Sequence, residues 1–396
     1  MPMRSAPLRL VVAPDSFGGA LGSAAVADAI ATGWLRVRSG DTVLRAPMAD
    51  GGEGTLDAVA LALGPRAERR TTATVDALGR PIEADWLLIE GGEAFVEMAA
   101  ASGLARLAPS ERTPETARLA STRGTGELLL AALDAGAQRI TLGLGGSATT
   151  DGGSGLLSAL GLRLLDADGG ALPAGGAALA GLASVDAAGL DQRLAEVRLT
   201  VASDVTNPMC GSMGAAATYG PQKGADEGAV AELDAALAAW GDAIERTTGR
   251  IVADLPGAGA AGGTTAGLLG FTKARVRPGV EVVAEMIGLA DALEAADLVM
   301  TGEGQADEQT LSGKAAMGVA TLARSRNAPV VLLCGGLGPG SAALDAAGTF
   351  AVVMPIGDRP MSLEEAMADT ERLLANAAER LARTIDIGLV LGEHSE

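Results

Sequence analysis

The chain has 396 residues, of which 48% are hydrophobic and 20% charged, which is enough apolar material for a large core and about two domains of ordinary size. Its formal net charge of −19 opposes binding to nucleic acid or to an anionic membrane, and no run of Lys or Arg offsets that charge. Since no long apolar segment or cleavable leader is evident, we expect a folded cytoplasmic protein.

Histidine is too scarce to support histidine chemistry. The only His is His394, close to the C-terminus, so a Ser-His-Asp triad and histidine-ligated metals are not expected. Cys210 and Cys334 are too few and too far apart for a disulfide framework or a zinc site. Carboxylates, hydroxyls and the backbone N–H groups of 56 Gly remain, and this inventory suits phosphoryl transfer.

Short runs of Val, Ile and Leu alternate with helical segments along the chain, which is typical of α/β layers with parallel or mixed sheets. The predicted strands span 8–13, 139–144, 197–202, 297–302, 329–334 and 350–355. Several of them end directly at Gly, Asp or Ser. Ligands of parallel sheets lie beyond the C-terminal ends of the strands, so we expect the functional site at these junctions.

Two helices are predicted from the spacing of their apolar residues. The first has Gly249 as its end and carries a single apolar stripe. The stripe consists of Val230, Leu233, Leu237, Trp240 and Ile244. The second begins at Ser362, with Glu365 completing a capping box. Its expected inner residues are Met367, Leu373, Leu374 and Leu381.

The stretch "GLGGSATTDGGSG" (143–155) directly follows a predicted strand. Gly143, Gly145 and Ala148 match the dinucleotide fingerprint G-x-G-x-x-A, and Asp166 lies where a ribose-binding acid would be. An NAD-dependent oxidoreductase is therefore one interpretation. Against it, the fingerprint requires a helix at once, whereas two further glycines precede the predicted helix "LLSALGLRLL".

The same stretch is also consistent with a phosphate cradle, in which successive amides and the hydroxyls of Ser147 and Thr149 face an anion, with a helix dipole behind them. A glycine-rich turn without a ligand is about as frequent for a lone cluster. Both interpretations stay open on this stretch alone.

Other junctions combine acidic residues with glycine. "PMADGGEGT" (47–55) and "TGEGQADEQTLSGKA" (301–315) set carboxylates where they can hold a divalent cation that bridges phosphate oxygens, although a solvated acidic turn is the alternative for each. "SDVTNP" places Asp204 after a strand, and "YGPQKGA" offers Lys223 in a loop. Lys314 lacks the rest of a Walker A sequence, which excludes a P-loop kinase.

Six segments, in this order, resemble the bacterial glycerate kinase family over about residues 8–385. They are "VVAPDSFGGALGSAAVADAI", "PMADGGEGT", "GTGELLLAALDAGAQRITLGLGGSATTDGGSG", "GPQKGA", "PGAGAAGG" and "TGEGQADEQTLSGKAAMGVA". The resemblance implies phosphorylation of a hydroxyl of D-glycerate, in many members the 2-hydroxyl, with ATP and Mg as cofactors. The implied partners are this hydroxyl acceptor and the nucleotide, and a homodimer stays open.

The resemblance also implies the domain organisation. It predicts two α/β domains with the active site in the cleft between them. Residues 1–90 and 290–396 would form a discontinuous Rossmann-like domain, and residues 91–289 an inserted domain.

We assign roles to residues on these motifs. Asp50 or Asp204 orients or deprotonates the acceptor hydroxyl, and Lys223 neutralises the transferred phosphate. Mg is assigned to Asp151 or Glu303. The nucleotide residues are Gly145, Gly146, Ser147, Thr149, Gly302, Glu303 and Gly304. The substrate residues are Asp15, Ser16, Arg123, Gln305 and Asp307.

Three positions depart from the family pattern. Members commonly read "PDSFKG" and "GEGR", whereas this chain has Gly18 and Gln305 in place of the two basic residues, and Arg123 replaces a usual aromatic residue. A charged hydrogen bond contributes about 1.5–3 kcal/mol, so this loss is expected to weaken binding of a carboxylate substrate. A different polyol, cyclitol or sugar-like acceptor, or a degenerate non-catalytic binder, therefore stays open.

Overall fold

The computed structural model describes residues 6–312 and 315–393, so that Lys314 and His394 lie outside the described residues. The chain divides into two compact units. Unit 1 is formed by the described residues of 1–49, 57–64 and 283–396, and unit 2 by residues 50–56 and 65–282.

Strands and helices alternate along the described chain. The strands are β1 Arg9–Val12, β2 Thr42–Arg45, β3 Ala67–Val75, β4 Pro81–Ile89, β5 Glu93–Glu97, β6 Arg139–Gly143, β7 Arg163–Leu165, β8 Ser184–Asp186, β9 Arg198–Ala202, β10 Arg275–Arg277, β11 Leu298–Ala306, β12 Val330–Leu337 and β13 Val352–Pro355. The helices are α1 Ser23–Leu35, α2 Thr55–Leu63, α3 Ala99–Ser102, α4 Pro114–Leu119, α5 Arg123–Asp134, α6 Ser154–Ala159, α7 Ala215–Tyr219, α8 Glu227–Thr248, α9 Ala260–Phe271, α10 Gly279–Met286, α11 Leu289–Glu294, α12 Ala315–Arg324, α13 Ala342–Ala347, α14 Leu363–Ala368 and α15 Thr370–Glu393. Short 3-10 helices span Gly64–Arg66, Leu104–Arg106, Pro109–Glu111, Gly176–Gly181, Gln192–Ala195, Pro221–Lys223 and Glu308–Ser312.

Unit 1 contains a five-stranded parallel sheet in the order β13-β12-β11-β1-β2. Helices α1 and α15 pack against each other and share one apolar core with the sheet. Trp34 is fully buried in that core. The buried Arg38 forms ion pairs with Asp41 and Asp386, which fixes the end of α1 to α15.

Unit 2 contains a six-stranded mixed sheet in the order β10-β9-β6-β5-β4-β3. The strands from β10 to β5 are parallel, and β4 and β3 continue the sheet as an antiparallel hairpin. The core beside the sheet includes Trp240, whose ring stacks on Phe271 with centroids 5.6 Å apart. This sheet brings the C-terminal ends of β6 and β9 side by side.

The predicted α/β class with parallel and mixed sheets is confirmed, and each of the six predicted strands coincides with an observed one. Helix α8 is also confirmed, with Gly249 directly after it. None of the helices in the described residues is long and apolar enough to cross a membrane.

Three details differ from the sequence-based expectations. The boundary expected at residue 90 differs because β3 and β4 pair with β5 and so belong to unit 2. The helix predicted over "LLSALGLRLL" ends early, since α6 gives way to β7. The capping box at Ser362 starts α14 only, because a break at Asp369 precedes α15, and Met367 is 36% exposed rather than on an inner face.

Candidate active site

Unit 2 has a pocket of about 320 Å³ beyond the C-terminal ends of β6 and β9. This is the edge at which ligands of parallel sheets bind. Its walls include Asp50, Gly145, Asp204, Asn207, Tyr219 and Ala261. The pocket therefore brings together both of the predicted catalytic carboxylates and one of the predicted nucleotide glycines.

The surroundings of Asp204 in the pocket shift its pKa. Partial burial raises the pKa of Asp204 above its usual range, and the negative charges of Asp50 and Glu281 raise it further. The backbone N–H of Gly279 donates to Asp204 Oδ1 at 3.1 Å, which opposes this shift. A carboxylate with a raised pKa is a better proton acceptor, so Asp204 suits a general base.

The loop that carries Asp50 is held by close backbone contacts. The Gly145 N–H donates to the Gly51 carbonyl at 3.1 Å, and the Gly52 N–H donates to Asp50 Oδ1 at 2.8 Å. A Cβ at Gly145 would lie 2.2 Å from the Gly52 Cα, so only glycine permits this approach. The position of Asp50 beside β6 therefore depends on the absence of a side chain at residue 145.

A buried carboxylate also supports this loop. Glu97, at the end of β5, accepts hydrogen bonds from the backbone N–H groups of Gly54, at 3.1 Å, and Leu56, at 2.8 Å. These two amides belong to the start of α2, where a negative charge also interacts favourably with the helix dipole. Glu97 thus closes the Asp50 loop at its C-terminal side.

The glycine-rich loop after β6 is only partly accessible. The N–H groups of Gly145 and Ala148 already donate to the carbonyls of Gly51 and Ser102. Ser147 and Thr149, predicted to bind the nucleotide, are buried. Two of the amides in the predicted cradle from Gly145 to Thr149 are thus used within the fold, and only Gly146 in this stretch is well exposed.

Lys223 lies beneath this loop rather than in the pocket. Its ammonium donates to Ser147 Oγ at 3.1 Å and to the Thr149 carbonyl at 2.6 Å, and the residue is 3% exposed. Burial lowers the pKa of Lys223 to about 8, and the charge of Asp151 acts in the opposite direction. Lys223 therefore holds the loop in place, which differs from the predicted direct contact with a phosphate.

Asp151, predicted as a magnesium ligand, is fully buried and already hydrogen-bonded on both oxygens. Oδ2 accepts from the Thr122 N–H, the Thr122 hydroxyl and the Gly155 N–H, and Oδ1 accepts from the Gly153 N–H. Burial raises its pKa, and these hydrogen bonds act against that rise. Binding of a magnesium ion by Asp151 would require these hydrogen bonds to break, which makes Asp151 the weaker of the two predicted magnesium ligands.

The predicted residues of unit 1 lie along the second half of β11 and in the loop beside it. The Asp15 N–H donates to the Gly302 carbonyl at 2.8 Å, and Ser16 is exposed beside it. Glu303 is buried and accepts from the Thr310 hydroxyl at 2.6 Å. Gly304 lies against the backbone of Phe17 and Gly18. Unit 1 thus places the Asp15 loop on the glycines of β11.

The remaining substrate candidates lie on the surface. Gln305 is exposed at the end of β11, and Asp307 accepts the backbone N–H of Gln309 at 2.9 Å. In unit 2, Arg123 begins α5 and donates to Glu127 at 3.0 Å. The charge of Arg123 is therefore already partnered, so Arg123 would have to leave Glu127 to contact a substrate.

Sequence reasoning missed four residues around the pocket: Glu97, Asn207, Tyr219 and Ala261. Asn207 and Tyr219 stand in the motifs "SDVTNP" and "YGPQKGA", so the motifs indicated the segments but not these side chains. Ala261 has a left-handed φ of 51°, an uncommon conformation for a residue other than glycine and one that concentrates at functional sites. In the sequence, only the nearby Gly259, Gly262 and Gly263 indicated such backbone geometry.

Comparisons with known proteins agree with the motifs. The profile described as "Glycerate kinase family" matches residues 10–386. A glycerate kinase of Halalkalibacterium halodurans is 43% identical over 94% of this chain and 97% of its own length. A glycerate 2-kinase of Escherichia coli is 39% identical over 96% of this chain and 99% of its own.

A solved structure extends the likeness to three dimensions. A crystal structure described as a glycerate kinase 2 from Salmonella typhimurium superposes with a TM-score of 0.84 at 40% identity, covering 96% of this chain and 99% of that one. The match runs through both units and through each motif described above. The chain therefore belongs to the glycerate kinase family, whose members are phosphotransferases with an alcohol group as acceptor.

Proposed function

We propose that this protein transfers a phosphoryl group from ATP to a hydroxyl of D-glycerate, with 2-phosphoglycerate as product. The observation that carries the proposal is the pocket in which Asp50 and Asp204 lie together beside Gly145. The relatives named glycerate kinase and glycerate 2-kinase supply the substrate class. No comparison favours an NAD-dependent oxidoreductase or a non-catalytic binder.

In this mechanism Asp204 accepts the proton of the attacking hydroxyl. Its pKa is raised, chiefly by burial, which suits a proton acceptor. Asp50 shares the hydrogen bond of that same hydroxyl and orients it, since its own position is fixed through Gly52 and Gly145. Positioning and proton removal are what phosphoryl transfer requires of the protein, together with charge neutralisation.

We also propose which residues bind the nucleotide and magnesium. In the part of the chain that the structure describes, no group of three or more His, Cys, Asp or Glu side chains is gathered to hold a metal. Mg²⁺ is often bound by only one or two carboxylates plus phosphate oxygens and water, and the buried carboxylate of Glu303 fits that role. A bound magnesium ion would neutralise phosphate charge. Gly146, Gly302 and Gly304 are the proposed nucleotide contacts.

Other acceptors remain the second candidate because of the missing basic residues. Gly18 and Gln305 provide no positive charge for a carboxylate, and Arg123 would have to leave Glu127 to provide one. A cytoplasmic location, the absence of nucleic-acid and membrane partners, and a homodimer also stay proposals.

The direct test measures ATP-dependent ADP release with D-glycerate and with a panel of hydroxy acids, polyols, cyclitols and sugars. We expect D-glycerate to give the highest kcat/KM. Asp204→Asn should lower kcat by about 10²–10⁴-fold, the usual contribution of a general base. The same substitution at Asp242, an exposed residue of α8, is the matched control. A better acceptor in the panel would replace glycerate, and full activity of Asp204→Asn would remove the proposed base.

A further inference from the structure

The side chain of Asn207 has a fixed orientation at the wall of the pocket. Its Nδ2 donates to the Met213 carbonyl at 2.8 Å and lies 3.4 Å from Thr218 Oγ1. A backbone carbonyl only accepts hydrogen bonds, so the amide nitrogen must be the atom that faces Met213. Oδ1 is therefore the atom that meets the Tyr219 hydroxyl, at 2.9 Å.

Tyr219 locks this orientation. Its hydroxyl donates to Asn207 Oδ1 and takes one of the two lone pairs of that oxygen. Both amide hydrogens of Asn207 point to Met213 and Thr218, whereas Oδ1 keeps its second lone pair. Since Asn207 and Tyr219 both line the pocket, the amide can offer a ligand only a hydrogen-bond acceptor.

The charged groups of the pocket have the same character. Asp50 and Asp204 are acceptors when ionised, and no Lys, Arg or His is among the residues that line it. Three groups that accept thus surround one cavity. Such a wall attracts hydroxyl hydrogens and repels a carboxylate, because the Ser203 and Thr206 hydroxyls that also line it can donate but carry no positive charge to offset a further negative one.

We infer that Asn207 is a specificity-determining residue. Its Oδ1 accepts a hydrogen bond from the substrate hydroxyl that is not phosphorylated. Tyr219 is a positioning residue that holds the Asn207 amide. The inference rests on the proposed function and deepens it. The substrate enters the pocket with its two neighbouring hydroxyls, one at the carboxylate pair and one at Asn207 Oδ1. Its carboxylate lies outside the pocket.

The test compares D-glycerate with the lactate of the same configuration, which lacks only the second hydroxyl. A site built to bond a hydroxyl rejects an analogue without it, so we expect wild-type kcat/KM to favour glycerate by about a hundredfold or more. In Asn207→Leu the preference should fall to within about tenfold. Tyr219→Phe should give an intermediate value, because the amide is still present and bonded to Met213 but has lost the hydroxyl that holds Oδ1.

The controls separate this role from general damage. Asn376→Leu makes the same change at a half-buried asparagine of α15, which bonds Arg36 at 3.5 Å, and should leave the preference at the wild-type value. Asn207 also holds Met213, so folding of Asn207→Leu is checked by circular dichroism. If that variant does not fold, Tyr219→Phe, which keeps the ring, decides the question.

Each other outcome overturns one specific claim. An unchanged preference in folded Asn207→Leu and Tyr219→Phe would overturn the inference while leaving glycerate phosphorylation in place. A higher Mg²⁺ requirement in these variants, with the preference unchanged, would mean that the pocket holds a cation and would also overturn it. Absence of glycerate phosphorylation by the wild type would instead refute the proposed function on which the inference rests.

Discussion

Lys223 is a buried cation whose partners are oxygen atoms of the loop above it. Burial holds its pKa at about 8, well below the ordinary value of 10.5. Between these two pH values the lysine is neutral in the folded protein and protonated in the unfolded chain. The unfolded chain then binds more protons, so stability contributed by this residue rises with pH across that window.

Replacing Lys223 by Met should remove this dependence. We expect the difference in free energy of unfolding between wild type and Lys223→Met to grow by roughly 1–3 kcal/mol from pH 8 to 10.5. Urea denaturation of both proteins across that range measures it. Lys273→Met is the control, because Lys273 is exposed and donates only to the Ala195 carbonyl. A constant difference between wild type and Lys223→Met would show that Lys223 titrates at its ordinary pKa.

The two residues that replace the family's basic positions can be tested by restoring the charges. Gly18 is exposed, its φ is not left-handed, and a Cβ there would meet no atom within 4 Å. Gln305 is exposed as well. We expect Gly18→Lys with Gln305→Arg to raise kcat/KM for D-glycerate by about tenfold or more, equivalent to about 1.4 kcal/mol of transition-state binding.

The control for this experiment is a neutral polyol, assayed as a substrate of the same two proteins. Its kcat/KM should not rise with the added charges, because it has no carboxylate to bind them. A wild-type kcat/KM for D-glycerate of about 10⁴ M⁻¹s⁻¹ or more, with no gain in the double variant, would show that these positions do not bind the substrate carboxylate.

At the scale of elements, the site depends on a loop packed against the end of a strand. The Asp50 loop touches β6 at Gly145, where a Cβ would lie 2.2 Å from the Gly52 Cα. Gly145→Ala should therefore displace the loop and lower kcat by about tenfold to a hundredfold, since small misplacement of a reacting group has effects of that size. Gly40→Ala, where a Cβ meets open space, is the control. Wild-type kcat in folded Gly145→Ala would show that this contact does not position Asp50.

The strands and helices show how much of the fold local sequence can predict. The six strands and α8 follow from runs and periods of apolar residues, because those patterns depend on near neighbours. The end of α6 and the break at Asp369 were missed, since the apolar pattern continues through both. The burial of Ser147 and Thr149 against Lys223 was also missed, because it depends on contacts between segments more than 70 residues apart.

At the scale of the whole molecule, the pairing of strands was beyond the reach of periodicity. β1 pairs with β11 from the other end of the chain, and residues 65–90 join the sheet of unit 2. The resemblance to the family implied a discontinuous domain, which no composition shift in the sequence marks. Sequence motifs pointed to Asp50, Asp204 and Gly145, and the structure places these three residues at one pocket. Asn207 and Tyr219 needed the structure.

Because the chain has two units, thermal unfolding can show which unit binds the nucleotide. A ligand that binds only the folded protein stabilises it by about 2.7 kcal/mol at a concentration one hundred times its Kd. For a chain of 396 residues this corresponds to a rise in Tm of a few degrees. We expect ATP with Mg²⁺ to produce this shift and NAD to produce none, because the family transfers phosphoryl groups.

Calorimetry is the suitable method because two units can give two transitions. A shift confined to one transition would assign the nucleotide to that unit. Two variants check this assignment: Glu303→Gln changes a candidate of unit 1, and Asp50→Asn changes a residue of the pocket in unit 2. The variant in the unit whose transition shifts should reduce the effect of ATP with Mg²⁺, the variant in the other unit should leave it unchanged, and both should keep the unliganded Tm within a few degrees. A rise in Tm with NAD and none with ATP and Mg²⁺ would contradict the kinase assignment itself, since phosphoryl transfer from ATP does not involve a nicotinamide.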